Sequence, residues 1–170
     1  VGNGVLAQVD NEVHWILGQA GQASLHVVDS DVPASTNVEV THGYATTTRL
    51  LSSQTTVSAG TQLALVHEAI DSFGNVWQVD ANITQSDGTF ASVDIFPSYV
   101  SLMPKELESL RFVATYFDAS TGVLHQTEWA SEVIPGRLTV ITLPASGTQV
   151  AADQSLQLSP VFKDAYDNII

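Results

Sequence analysis

The 170 residues contain no cysteine. Disulfide scaffolds, thiol nucleophiles and zinc–thiolate centres are therefore excluded. Positive charge is nearly as scarce: five Lys and Arg stand against 18 Asp and Glu, for a net charge of -13. Such a field repels phosphate backbones and anionic head groups, which argues against nucleic acid and bare membrane as partners. No run approaches the ~18 apolar residues of a spanning helix, so membrane insertion of this segment is not expected. Gly-x-Ser-x-Gly elbows, His-Glu-x-x-His pairs and phosphate loops are all missing, which argues against an enzyme. Helical periodicity is also missing, apart from about two turns' worth at Pro104–Leu110.

Hydrophobic residues make up 44% of the chain, enough to bury a core. Charged residues make up only 14%, against about 25% in typical globular domains. The polar surface must then come from Ser, Thr, Gln and Asn, which suit solvated strand faces and turns. This composition, acidic and free of disulfides, reads as extracellular or cell-surface, and as prokaryotic rather than animal. The chain opens at Val1 without Met or a leader, as a processed protein or an internal piece of a longer one would.

What is present is period-two alternation. Leu63, Leu65, His67 and Ala69 alternate with more polar positions, as do Leu110, Phe112, Ala114 and Tyr116. Asp71-Ser-Phe-Gly-Asn75 and Asp118-Ala-Ser-Thr-Gly122 read as turns, because Asp and Asn cap their own backbone and Gly supplies positive φ. One strand is expected over Val76–Ile83, and Val123–Val133 as the hairpin partner of the strand before it.

The pattern also repeats. Val57 and Val150, Leu63 and Leu156, Asp71 and Asp164, and Asn75 and Asn168 are each 93 positions apart. That period is the size of one immunoglobulin-like domain. Ser24-Leu-His-Val-Val28 resembles Ser109-Leu-Arg-Phe-Val113 further back. The reading is all-β: tandem immunoglobulin-like β-sandwiches, one complete and two partial. Residues 1–43 are the C-terminal strands of one domain, 44–136 a complete domain, and 137–170 the N-terminal strands of a further one. Short joints at Gly43-Tyr44 and Pro135-Gly136 favour a stiff rod.

The opening Val-x-Ala-Gly-x-x-Leu-x-Leu, followed by Asp-x-x-Gly-Asn and Val-Trp, resembles the bacterial Ig-like modules of invasin and intimin adhesins, with similar modules in archaeal surface proteins. The resemblance runs from Thr48 to Asp80 and continues to Gly136 mainly in pattern. It implies rigid spacers or adhesive repeats, and neighbouring repeats or subunits head to tail as partners. The third segment departs from the motif, with Asp167 where Gly74 stands; Asp tolerates left-handed φ, so the turn can survive.

Few residues are candidates for chemistry. Asp71, Asn75, Asp164 and Asn168 put oxygen atoms in tight turns at sandwich ends, and calcium takes 6–8 oxygens, so these four are Ca2+ candidates. Asp29, Asp31 and Glu39 could add charge. The bland alternative is that Asp and Asn are simply what a turn selects. His67 reads as a packed core histidine. The rings Trp15, Trp77, Trp129, Tyr44, Phe96, Tyr99 and Tyr116 read as core or interdomain packing. An exposed coplanar set of them would instead make a carbohydrate-binding module with a cell-surface glycan as partner. Asn82-Ile-Thr84 is a glycosylation sequon.

Overall fold

A computed structural model describes residues 4–9, 12–27, 34–88, 92–143, 150–152 and 154–170. Among them every regular element is a strand: β1 (Gly4–Val9), β2 (Glu12–Leu17), β3 (Gly21–Val27), β4 (Ala34–Val40), β5 (Thr47–Ser52), β6 (Val57–Ser58), β7 (Leu63–Ile70), β8 (Val76–Gln78), β9 (Asn82–Asp87), β10 (Ser92–Ile95), β11 (Tyr99–Met103), β12 (Ser109–Asp118), β13 (Val123–Ile134), β14 (Leu138–Thr142) and β15 (Val161–Asp164). The all-β class is therefore observed. The helix-compatible stretch at Pro104–Leu110 is a loop running into β12: Leu107 is exposed, and Leu110 is drawn onto the core face of the strand.

Residues 44–136 form two facing sheets. One has the order β10-β11-β7-β5, with β8 also on β7; the other has β6-β13-β12-β9. This is the immunoglobulin strand arrangement. The alternation in the sequence is what closes it. Along β7 the odd residues are buried and the even ones half-buried, and Leu110, Phe112 and Ala114 meet them from β12. Leu50, Val57, Ala59, Val100, Leu102, Ile83 and Val133 complete the cluster, with Trp129 packed at its margin. Tyr116 is only half-buried, since β12 is leaving the core at that point.

The single strand expected over Val76–Ile83 is two. β8 pairs with β7, whereas β9 pairs with β12 in the opposite sheet. The chain changes sheets across Val79–Ala81, where Val79 N donates to His67 O and Ala81 N to Pro97 O. Backbone pairing thus continues on both sides of Asp80 through the crossing.

The flanking segments repeat parts of this plan. β1 pairs with β2, and β3 with β4, as antiparallel hairpins. β14 and β15 pair as β5 and β7 do, in the same register: Ile141↔Phe162 and Thr142↔Val161 stand 93 positions beyond Thr48↔Ala69 and Arg49↔Glu68. The Lys163↔Ile169 bridge likewise matches Ile70↔Val76. Burial is not repeated. Leu50, Val57, Leu63 and Leu65 are 7%, 2%, 2% and 0% exposed, whereas their counterparts Leu143, Val150, Leu156 and Leu158 are 62%, 39%, 49% and 52% exposed.

The contrast can be measured. Leu65→Ala should destabilise the central sandwich by about 2–5 kcal/mol through lost burial and a residual cavity. Leu158→Ala, at the equivalent exposed position, should leave that transition in place. Equal losses in chemical denaturation would contradict the burial difference.

Candidate functional site

The turns at Asp71 and Asp164 are the most densely bonded polar groups described. Asp71 follows β7 and Asp164 ends β15, where the chain must be handed to the next element. The aspartate does this with its side chain. Asp71 Oδ1 accepts from Phe73 N and Asn75 N, both at 2.9 Å. Asp71 Oδ2 accepts from Gly43 N at 2.7 Å and from Asn75 Nδ2 at 2.8 Å. Asp164 does the same: Oδ1 takes Tyr166 N (2.8 Å) and Asn168 N (3.0 Å), and Oδ2 takes Gly136 N (2.8 Å) and Asn168 Nδ2 (2.9 Å). Both carboxylates are buried, at 4% and 2% exposure. The turn backbone is also shared, with Asp71 N donating to Asn75 O and Asp164 N to Asn168 O. Gly74 lies at φ 81° and Asp167 at φ 71°, so the aspartate does occupy the left-handed position.

The asparagines reach further. Asn75 Nδ2 donates to Gly18 O at 3.0 Å and its Oδ1 accepts from Ala20 N at 2.9 Å. Asn168 Nδ2 donates to Lys105 O at 2.7 Å. Gly18 and Lys105 are equivalent positions. Gly18 lies three residues before Gly21, which faces Val40; Lys105 lies three before Glu108, whose carbonyl accepts from Val133 N. Val40 and Val133 in turn lie three residues before Gly43 and Gly136. Each Asp–Asn turn therefore grips its own linker with the carboxylate and the preceding segment with the amide. Gly136 is required by the fit, because a Cβ there would stand 2.4 Å from Ala59 O. The aromatic half of the joint is not repeated. Phe73 lies over Gly18, while Tyr166 lies over Gly60 and packs against the central core.

Other groups tighten the first linker. Ala45 N donates to Asp118 Oδ2 at 3.3 Å, and Thr46 donates to Ile70 O through both N and Oγ1. Asp118 is held in place by Ser120 N and Ser120 Oγ. The His42 ring stacks on Trp77 with centroids 3.8 Å apart. Trp77 is thus half-buried against the linker and not in the core.

The electrostatics follow from the donors. Burial works to raise the Asp71 pKa, but the Asn75 amide and the Gly43, Asn75 and Phe73 N–H groups outweigh it and hold the carboxyl at about 2. Asp164 is lowered by the same balance, and Asp118 chiefly by Ser120. His67 is fully buried, with Nδ1 3.3 Å from Val79 O and Nε2 without a hydrogen-bond partner; desolvation lowers its pKa, against the Val79 contact.

The four calcium candidates, Asp71, Asn75, Asp164 and Asn168, thus stand in two hydrogen-bonded turns. Each carboxylate already accepts four N–H donors, so an ion would have to displace them. No cluster of three or more His, Asp or Glu suited to a metal occurs among the described residues. Glu39 is exposed on β4, and Asp29 and Asp31 lie outside the described residues. Among the rings, Phe96 and Tyr99 are exposed and stacked on each other at 4.4 Å, one face of each against the other, and Tyr44 is exposed on the linker. Asn82 is exposed on β9. The donors and acceptors that sequence reasoning missed, at Gly18, Ala20, Gly43, Lys105 and Gly136, are all backbone groups.

No family model and no characterised protein matches the chain. Among solved structures it is similar to surface layer protein SbsC, domains 1–6, at 20% identity and a TM-score of 0.35, over 98% of this chain and 22% of that one. For SbsC domains 4–9 the figures are 19% identity and a TM-score of 0.32, over 93% and 26%. The chain spans about a quarter of the length of these structures or less.

The depressed Asp71 pKa makes a prediction about acid. A carboxylate bound more weakly by protons in the folded state stabilises fully above its unfolded pKa of ~3.9, and that contribution is lost as pH falls toward 2. The melting temperature should therefore drop between about pH 5 and 2, and less steeply in Asp71→Asn. His67 acts in a higher window, its neutral form losing ground as pH falls below ~6.5. Parallel wild-type and Asp71→Asn curves below pH 5 would contradict the Asp71 assignment.

Proposed function

We propose that this chain is a non-catalytic structural spacer of an extracellular or cell-surface protein, built from immunoglobulin-like units held at fixed angles. One observation carries the reading: the same Asp–Asn turn clamps the linker and the preceding segment at both joints, 93 residues apart. A protein that needed only a fold would need neither joint tied. One that needed reach and stiffness would tie every joint, since untethered interdomain contacts leave relative motion as the default. The sequence likeness to invasin and intimin modules and the acidic, disulfide-free composition support the same reading. Adhesion belongs to it as an extension: a stiff array carries whatever binds at its end.

The joint test is a double variant, Asn75→Ala with Asn168→Ala. It removes the amide contacts to Gly18, Ala20 and Lys105 and leaves each carboxylate its three backbone donors. Each lost bond is worth about 0.5–1.5 kcal/mol, so the central sandwich should stay folded. Small-angle scattering should show a broader distribution of interunit angles. An unchanged distribution would count against the clamp.

We further propose that the latch works through hydrogen bonds and needs no ion. Melting temperatures in millimolar calcium and in chelator should then coincide. A rise with calcium that Asp71→Ala abolishes would establish the ion-binding reading instead.

A further inference from the structure

We propose that Asn82 is an N-glycosylation site, the acceptor of an oligosaccharide carried on a polyprenyl diphosphate. The proposal goes beyond the spacer role and rests only on its extracellular part, since this modification belongs to the surfaces of exported chains.

Of the six asparagines, only Asn82 has Ser or Thr two positions on, and Ile83 between them is not proline. The fold makes this motif accessible. Ile83 is 5% exposed and faces the core, so Asn82 and Thr84, on the other side of β9, are both exposed. The Asn82 carboxamide makes no hydrogen bond to another described residue, whereas the Asn75 and Asn168 amides are committed to their joints. Thr84 Oγ1 makes only a long bond, donating to Val113 O at 3.5 Å. β9 is the outermost strand of its sheet and pairs with β12 alone among the described strands. Asn82, opposite Thr115, is the end rung of that ladder, and Asp80 just before it is exposed. An enzyme can therefore reach both acceptor groups from solvent without opening the sandwich.

The transfer is a substitution at the anomeric carbon of the first sugar. Asn82 Nδ2 forms a bond to C1 and gives up one proton to a carboxylate of the transferase. The C1–O bond to the diphosphate breaks, and the polyprenyl diphosphate leaves with the electron pair. The Thr84 hydroxyl is the second recognition group, which positions the carboxamide for attack.

A glycan at this position also answers a structural need. Free sheet edges invite pairing with other chains, and proteins blunt them with charge, proline or a cover. β9 has neither proline nor lysine, and its exposed Asn82, Thr84 and Ser86 are neutral, with Asp87 the one charge at its end. A hydrated oligosaccharide on Asn82 would cover that edge and keep neighbouring sandwiches from pairing side by side.

The test is the intact mass of the protein isolated from its own cells, with surface and cytosolic fractions measured separately. The surface protein should be heavier than its sequence by an oligosaccharide. An amide-cleaving N-glycosidase should remove that mass and convert Asn82 to aspartate. Asn82→Gln and Thr84→Val should each lose the added mass completely, whereas Thr84→Ser, which keeps the hydroxyl, should retain it. Both positions are exposed, so an unchanged melting transition will show that each variant is folded. A surface protein of unmodified mass, or an added mass that survives Asn82→Gln or Thr84→Val, would overturn the inference and leave the extracellular reading standing. Protein confined to the cytosol would overturn that reading and the site with it.

Discussion

One buried carboxylate with four N–H donors is the interaction on which the architecture turns. An ionised Asp71 satisfies two turn amides, anchors Gly43 of the linker and orients the Asn75 amide toward the preceding segment. Charge-assisted bonds of this kind are about twice as strong as neutral ones, and a buried charge persists only when they are complete. Local turn, linker and neighbour are thus fixed by the same oxygen atoms. Loosening one loosens all three.

The sandwich supplies the setting. Its two sheets bury a cluster running from Leu50 to Val133, and its poles are left to the turns. At the pole that meets residues 1–43, Asp71, Asp118 and Trp77 converge on a linker of four residues, Gly43–Thr46, and its neighbour His42. At the other pole Lys105, Gly60 and Ala59 receive the next linker and turn. Each unit therefore presents a gripping end and a gripped end.

The sequence was most legible where side chains alternate. β7, β12 and β13 lie where the period of two put them, and the offset of 93 recurs in the pairs of β14–β15 and β5–β7. The sheet change at Val79–Ala81 was not visible, because a single Asp80 is a weak break and the backbone stays paired on either side of it. Asp71 and Asn75 stood out as polar residues in a turn, but their partners are main-chain groups of Gly43, Gly18 and Ala20. Main-chain donors have no letter of their own in a sequence. Oxygen-rich turns therefore suggested a cation, whereas the amide groups that the Asp71 and Asp164 carboxylates accept from could not be read. Trp77 was read as core or interdomain packing, and its position depended on a histidine 35 residues upstream.

The pairing of β6 with β13 has a mechanical consequence. These are the only parallel neighbours among the described strands, joined at Val57↔Val133 and Ser58↔Ile134 and continued by Ala59 N on Ile134 O. The chain enters the sandwich through β5, which leads directly into β6, and leaves just after β13. Tension applied through the two linkers pulls these strands along their length in opposite directions. The ladder is then loaded in shear, its bonds sharing the force at once, where an antiparallel hairpin pulled from its open end would lose them one by one. A row of such units in series would hold its length under drag and yield, when it yields, one whole sandwich at a time.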